Sequence, residues 1–128
     1  MKNQLFKRLT IGVVVALSLF GTVRGGNTNL SVENDRFYVN GRLFDMWGIR
    51  VASATMNWDY TNHLIAQLDD YKAHGVNTVT PFFCGSSGGE ADPFRNNGTE
   101  IESGHLSRMK AIIEACDQRE MVVVVGIF

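Results

Sequence analysis

The sequence predicts a parallel α/β fold, and two stretches of the chain carry that prediction. An amphipathic helix ends at His74, and Gly75 can take the left-handed conformation that closes a helix. A short buried strand follows and ends at Pro81, because proline cannot donate a hydrogen bond to a ladder. The run Met121–Phe128 is rich in β-branched residues and apolar on both faces, which is typical of a strand in a parallel sheet. Helix, tight turn, buried strand and polar loop form the repeating unit of this fold, whose ligand sites lie on the loop side.

Residues 1–26 are predicted to be a secretory signal peptide rather than part of the fold. Basic residues precede an apolar run from Leu9 to Val23, and small residues follow it. This run of 15 residues is short for a membrane span, which needs about 20. An uncleaved membrane anchor is the alternative. Cleavage near Gly26 predicts a secreted or extracytoplasmic protein, free of the membrane, whose domain covers residues 27–128.

The charge balance after cleavage argues against a nucleic-acid partner. Removal of residues 1–26 takes away four basic residues and no acidic one, so the balance is 8 − 13 = −5. A nucleic-acid surface needs clustered Lys and Arg. A chain of this length buries one modest core, which predicts a single domain.

A short antiparallel hairpin is predicted ahead of the parallel sheet. Its strands are Leu30–Glu33 and Arg36–Val39, and the turn dipeptide Asn34-Asp35 lies between them. The segment Phe44–Val51 is then mostly apolar on both parities, so it is predicted to be the first core strand.

Two amphipathic helices are predicted to connect the core strands. The first has Thr61 or Asn62 as its cap, and its apolar stripe is Leu64, Ile65, Leu68 and Tyr71. The second has Ser103 as its cap, and its apolar stripe is Leu106, Met109, Ile112, Ile113 and Cys116. The loop before it covers residues 84–103, and loops of this length in compact domains are usually functional or disordered.

Cys84 and Cys116 are predicted to be free, buried thiols, although two cysteines in an exported chain invite a disulfide. Cys84 lies just past the carboxyl end of a strand, whereas Cys116 lies near the far end of the helix that runs back. About a dozen residues at ~1.5 Å each separate these two ends. A disulfide needs Cα atoms within about 7 Å.

These segments resemble the N-terminal part of a clan A glycoside hydrolase of family 5, the cellulase- and mannanase-like type. The resemblance covers nearly all of the chain after residue 30, and some relatives carry an arginine where this chain has Thr80. That difference leaves open the subfamily and the sugar bound nearest the cleavage point. The motifs that carry the resemblance are Phe37–Arg42 (FYVNGR), Trp47–Arg50 (WGIR), Gly75–Val79 (GVNTV) and the third strand, Met121–Phe128.

The resemblance implies the first three β/α units of a (β/α)8 TIM barrel, preceded by the short hairpin and interrupted in the third strand. It also implies cleavage of O-glycosidic bonds in a β-linked polysaccharide by a retaining mechanism with two glutamates, about 5–5.5 Å apart. Both glutamates would lie beyond Phe128, so no catalytic residue is assigned, and the segment alone is expected to be inactive. A non-catalytic carbohydrate-binding barrel is the alternative, and a small nucleotide-binding α/β domain is a third hypothesis.

Three residues are candidates for substrate binding: Arg50, Trp58 and Phe83. Arg50 lies where the first strand meets the site, and it would bind a sugar hydroxyl or a catalytic carboxylate, or form a structural ion pair. Trp58 and Phe83 follow the first and second strands, where their rings would stack on a pyranose or pack in the core. The expected partner is a polysaccharide or oligosaccharide bound by a monomer, with no cofactor and no metal.

Other polar clusters are weaker candidates. Gly85–Gly89 would cradle a phosphate only if a helix began directly after it, and the next predicted helix is some 15 residues away. The acidic residues of the loop match no calcium-binding spacing and are predicted to be solvated; they are Glu90, Asp92, Glu100 and Glu102. The histidines have no metal-ligand spacing and are predicted to lie at helix ends; they are His63, His74 and His105.

Overall fold

The computed structural model describes residues 26–83 and 93–127. These ranges contain three small sheets, ordered β1-β2-β3, β4-β5-β8 and β6-β7, of which only the second is parallel. Two α-helices and one 3-10 turn, Asn96–Gly98, complete the elements in the described ranges. The strands are β1 Leu30–Glu33, β2 Arg36–Val39, β3 Arg42–Leu43, β4 Gly48–Val51, β5 Thr78–Pro81, β6 Phe94–Arg95, β7 Glu100–Ile101 and β8 Val122–Val123. The helices are α1 Trp58–Ala73 and α2 Ser103–Asp117.

The prediction of three β/α units of a TIM barrel is wrong. The described residues form a small α/β domain with two helices and three small sheets. The third strand, predicted over Met121–Phe128, pairs with β5 only at Val122–Val123, and a single bridge joins Phe82 to Gly126. A barrel closes through strands that stay paired along their length at a fixed stagger. An apolar run does not specify how many of its residues pair with a neighbouring strand. Here Val124 and Val125 lie beyond β8, and each is 41% exposed.

Several predicted segments fall outside the described residues. They are the signal peptide up to residue 25, Cys84, the glycine-rich stretch Gly85–Gly89, and the loop acids Glu90 and Asp92. The later part of the predicted loop forms the hairpin β6–β7. Cys116 is a free, buried thiol, as predicted, and burial raises its pKa to about 11. None of the helices in the described ranges is both long and apolar enough to cross a membrane.

The core lies between the parallel sheet and the two helices, which pack against one face of it. Ile49, Val51 and Val123 from that face are partly buried against the core, and Val79 is fully buried. The second helix turns a somewhat different face inward than its pattern predicts, because His105 and Ala115 are buried while Leu106 and Ile113 are exposed. The buried cluster comprises Ala54, Leu64, Leu68, Val76, Val79, Ile112, Ala115, Cys116 and Met121.

Both helices end in the same way before they lead into a strand. After α1 the amide of Gly75 donates to Lys72 and that of Val76 donates to Tyr71, with Gly75 at φ 88°. After α2 the amide of Met121 donates to Cys116, and Glu120 takes the left-handed position at φ 56°. The predicted end of the first helix is therefore confirmed.

Glu120 also connects α2 to the N-terminal hairpin. Its carboxylate accepts hydrogen bonds from Asn40 Nδ2 and Arg42 Nη2, each at 3.0 Å. At the same end of α2, the carboxylate of Asp117 accepts the backbone N–H groups of Asn27 and Thr28, each at 2.8 Å. The hairpin, whose predicted strands are confirmed, is thus attached at the amino-terminal end of the parallel sheet.

Asn77 joins the starts of all three parallel strands. Its Oδ1 accepts the N–H of Trp47 at 2.8 Å, and its Nδ2 donates to the carbonyl of Asp45 at 2.8 Å. Its backbone N–H donates to Trp47 at 2.9 Å, and its carbonyl accepts from Val122 at 2.9 Å. Asn77 therefore sets the register of β4 and β8 on β5.

Replacing Asn77 by Ala should lower the free energy of unfolding by about 3 kcal/mol, since its side-chain hydrogen bonds with Trp47, Asp45 and Thr78, at about 1 kcal/mol each, are lost. Thermal or urea denaturation of the full chain measures the change. Asn62→Ala is the matched control, because Asn62 is an exposed residue of α1 whose side chain has no described hydrogen bond. Equal stability of the two variants would contradict the role assigned to Asn77.

Candidate functional site

The candidate site is the edge of the parallel sheet where β4 and β5 end and both helices begin, here called the carboxyl edge. The helices run antiparallel to the strands, so their amino-terminal ends lie at the same edge as the carboxyl ends of the strands. In open α/β sheets this is the edge at which ligands bind. The polar and aromatic residues placed there are Arg50, Trp58, Phe82, Phe83, Glu102, His105 and Arg108.

Arg50 is exposed and lies on the sheet face that the helices do not cover. Its strand neighbours Ile49 and Val51 pack against the core, and alternate strand residues point to opposite faces. The guanidinium carbon lies 4.2 Å from the centroid of the Phe82 ring, which is a cation–π contact. In the described part of the chain, Arg50 has no ion pair and no side-chain hydrogen bond, so the structural ion pair considered above is not seen there.

The backbone of Gly126 lies close against the Phe82 ring. A Cβ atom built on Gly126 would lie 2.8 Å from two atoms of the ring, closer than real Cβ contacts allow. The same two residues form the bridge that extends the pairing of β5 beyond β8. Phe82 is therefore a half-buried ring that contacts both Arg50 and Gly126. Sequence reasoning did not identify Phe82 or Gly126 as part of the site.

Trp58 is the first residue of α1, and its side chain is 47% exposed. Asn57 fixes the start of the helix, because its Oδ1 accepts the N–H of Tyr60 at 3.0 Å. The predicted caps were Thr61 or Asn62, and that prediction is wrong. Thr61 instead buries its hydroxyl, which donates to the carbonyl of Ala54 at 2.7 Å. Trp58 thus presents an open ring on a rigid helix end.

Phe83 is placed differently from Trp58, because only 7% of its surface is exposed. Its ring centroid lies 5.7 Å from that of Phe94 and 6.2 Å from that of His105. Its backbone N–H donates to Gly126 at 2.7 Å. In this arrangement the ring packs beneath the edge, and Trp58 is the predicted aromatic residue whose ring is open to a ligand.

Glu102, His105 and Arg108 form a polar cluster at the start of α2. Glu102 Oε2 accepts the backbone N–H of His105 at 2.7 Å and lies 3.1 Å from His105 Nδ1. Arg108 Nη2 lies 3.1 Å from the same Nδ1, and Arg108 Nε donates to the carbonyl of Thr55 at 2.6 Å. His105 is 2% exposed. The cluster therefore ties α2 to the loop that precedes α1.

The cluster also decides what Glu102 can do chemically. Hydrogen bonds from the backbone N–H groups of Gly104 and His105 lower the pKa of Glu102 from 4.5 to about 2, with a further contribution from the His105 ring. A general acid needs a pKa near the working pH. Glu102 is ionised at neutral pH and is an anchor for the helix start rather than a proton donor.

Sequence reasoning placed Glu102 among solvated loop charges and gave the cap to Ser103, and both predictions are wrong. The carboxylate caps α2 itself, and His105 lies three residues further on. A polar acceptor three residues ahead of a buried helical residue is a recognisable helix start. Across residues 26–83 and 93–127, no group of three or more His, Cys, Asp or Glu side chains is placed to bind a metal ion.

The lowered pKa of Glu102 predicts an acid-dependent loss of stability. A carboxyl group whose pKa is lower in the folded state stabilises fully above its unfolded pKa, near 4.5, and loses that contribution as the pH falls towards about 2. Glu102→Gln should therefore flatten the dependence of the melting temperature on pH in that window. Circular dichroism at a series of pH values measures it.

Glu114→Gln is the control, since Glu114 is an exposed residue of α2 whose side chain has no described polar partner. It should leave the pH dependence of the melting temperature unchanged. Asp69 and Asp117 also have lowered pKa values, from the hydrogen bonds of Arg119 and of the Asn27 backbone respectively. Part of the acid sensitivity therefore remains in Glu102→Gln, and parallel curves for it and the native chain would refute the assignment.

A scan against protein-family models finds no match to this chain, and a search of curated proteins finds no significant relative.

Proposed function

We propose that the carboxyl edge binds a β-linked polysaccharide and that the protein forms part of an exported glycoside hydrolase, which cleaves O-glycosidic bonds. One observation supports the binding role most directly. Trp58 and Arg50 come from consecutive elements, are both exposed, and lie at the same edge of the parallel sheet. An exposed aromatic ring and a planar hydrogen-bond donor at one edge suit a protein surface that binds a sugar.

The two groups complement different parts of a sugar. An indole ring offers an apolar face to the C–H groups of a pyranose, while its N–H stays available to water or a hydroxyl. A guanidinium group donates several hydrogen bonds in a fixed plane, which suits sugar oxygens. Both side chains are attached to regular elements, so little conformational entropy is lost when a ligand orders them.

The hydrolytic part of the proposal rests on the resemblance of the motifs alone. No catalytic step is assigned to the described residues. Glu102, the carboxylate built into the carboxyl edge, has its Oε2 engaged by His105 and is held ionised. This observation favours a second candidate, a non-catalytic carbohydrate-binding protein. Release of reducing ends from a bound polysaccharide by the secreted protein separates the two candidates.

Trp58→Ala should weaken binding to an insoluble β-linked glucan or mannan about tenfold, because loss of ring stacking together with its buried area is worth about 1.4 kcal/mol. Depletion of the protein from solution by increasing amounts of polysaccharide measures the change.

Trp47→Ala is the matched control for this experiment. Trp47 is 66% exposed, more than Trp58, but it precedes β4 and so lies at the opposite end of the sheet. It should leave binding unchanged. Equal binding by the two tryptophan variants would refute the carboxyl edge as the sugar surface.

A further inference from the structure

We propose that Arg50 makes the carboxyl edge selective for acidic sugars, so that the bound glycan carries uronic acid residues. The inference rests on the proposed function, since it names the substrate class of the same surface. It begins from the contacts of the described arginines: Arg36, Arg50 and Arg95 have no described ion pair, and of these three only Arg50 lies over an aromatic ring. Arg42 pairs with Glu120 at 3.0 Å and Arg119 pairs with Asp69 at 2.8 Å. Arg50 has only the Phe82 ring as a described partner.

Stacking on Phe82 would leave the N–H donors of the Arg50 guanidinium group available to a ligand. A guanidinium group that stacks on a ring uses its flat face and keeps its N–H donors in the plane, and the 4.2 Å between the Arg50 guanidinium carbon and the Phe82 ring centroid is short enough for such stacking. Two parallel N–H groups match the two oxygens of a carboxylate, and such bidentate pairs are shorter and stronger than bonds to neutral acceptors. A sugar hydroxyl offers a single oxygen and no negative charge. The preorganised group therefore favours a carboxylate over a hydroxyl.

The surroundings of Arg50 support a fixed and local site. Thr80 is its neighbour in the register of β4 on β5, and it is half-buried. Gly126 lies close against the Phe82 ring and limits where that ring can move. Asp59 in the first turn of α1 is an opposing negative charge at the edge, while Glu102 is occupied by His105 and Arg108. Selectivity must therefore come from the bidentate contact and not from a general positive field.

The size of the preference follows from the exposure of Arg50. Exposed ion pairs contribute little and are screened by salt. We expect an acidic glycan to bind about fivefold more tightly than its neutral counterpart at low salt. The preference should fall when salt is added, because the carboxylate contact is exposed to solvent.

The test uses two hexasaccharides with the same β-1,4 linkage, one of glucuronic acid and one of glucose. Isothermal titration calorimetry of the full chain, at low and at high salt, measures both dissociation constants. Arg50→Gln should abolish the preference for the acidic hexasaccharide, and Arg50→Lys should keep only part of it, because an ammonium group cannot form the two-pronged contact. Arg36→Gln is the control with the same change in net charge, since Arg36 is an exposed hairpin residue with no described partner.

The outcomes separate this inference from the proposed function. A native chain that prefers the acidic hexasaccharide, with the preference lost in Arg50→Gln and kept in Arg36→Gln, supports the inference. Equal affinity for the two hexasaccharides overturns it and leaves the proposed function standing. Binding to neither hexasaccharide overturns both. A preference that survives in Arg50→Gln, or that falls equally in Arg36→Gln, also overturns the inference.

Discussion

The hydrogen bonds of Asn77 are the constraint on which the parallel sheet depends. Through its side chain and backbone this residue contacts the segment before β4, and its carbonyl accepts from the first residue of β8. A strand that slips by one residue turns every side chain to the opposite face. By holding three strand starts together, Asn77 decides which residues face the helices and which face away from them.

The carboxyl edge is a consequence of that register at the other end of the strands. With β4 set on β5, Arg50 lies opposite Thr80, and the bridge beyond β8 brings Gly126 against Phe82. The polar cluster at the start of α2 acts at the same edge, because Arg108 reaches the carbonyl of Thr55 in the loop before α1. Both helix starts and both strand ends are thereby held in one arrangement, which is what a binding surface needs.

Local features of this fold were predictable, while long-range pairing was not. The bounds of the first hairpin follow from two turn residues, and the end of α1 follows from Gly75, because each depends on neighbours in sequence. The predicted length of the third strand was wrong, because apolar residues on both faces do not specify how many of them pair with a neighbouring strand. The cap at Glu102 was missed because serine, the next residue, is a more common cap than glutamate, so residue preference favoured Ser103.

The candidate site shows the same division. Arg50 and Trp58 were candidates because one lies near the end of a predicted strand and the other lies in the loop after it, whereas Phe82 gains its importance from Gly126, some forty residues later. The prediction of a barrel was wrong because it concerns how several units pack together. The motifs describe a strand, a turn and a helix one at a time, and they contain no information on how many such units close on one another.

Glu120 lies where the backbone favours glycine, while the contacts with the hairpin need a carboxylate side chain. The left-handed turn after α2 suits glycine and costs a side-chain-bearing residue roughly 1–2 kcal/mol. Yet only a carboxylate there reaches Asn40 and Arg42. A glycine would relax the backbone but would remove both of these contacts with the hairpin, leaving Asp117 to hold Asn27 and Thr28. The strained position of Glu120 thus allows one of the two carboxylates that connect the N-terminal segment to the end of α2.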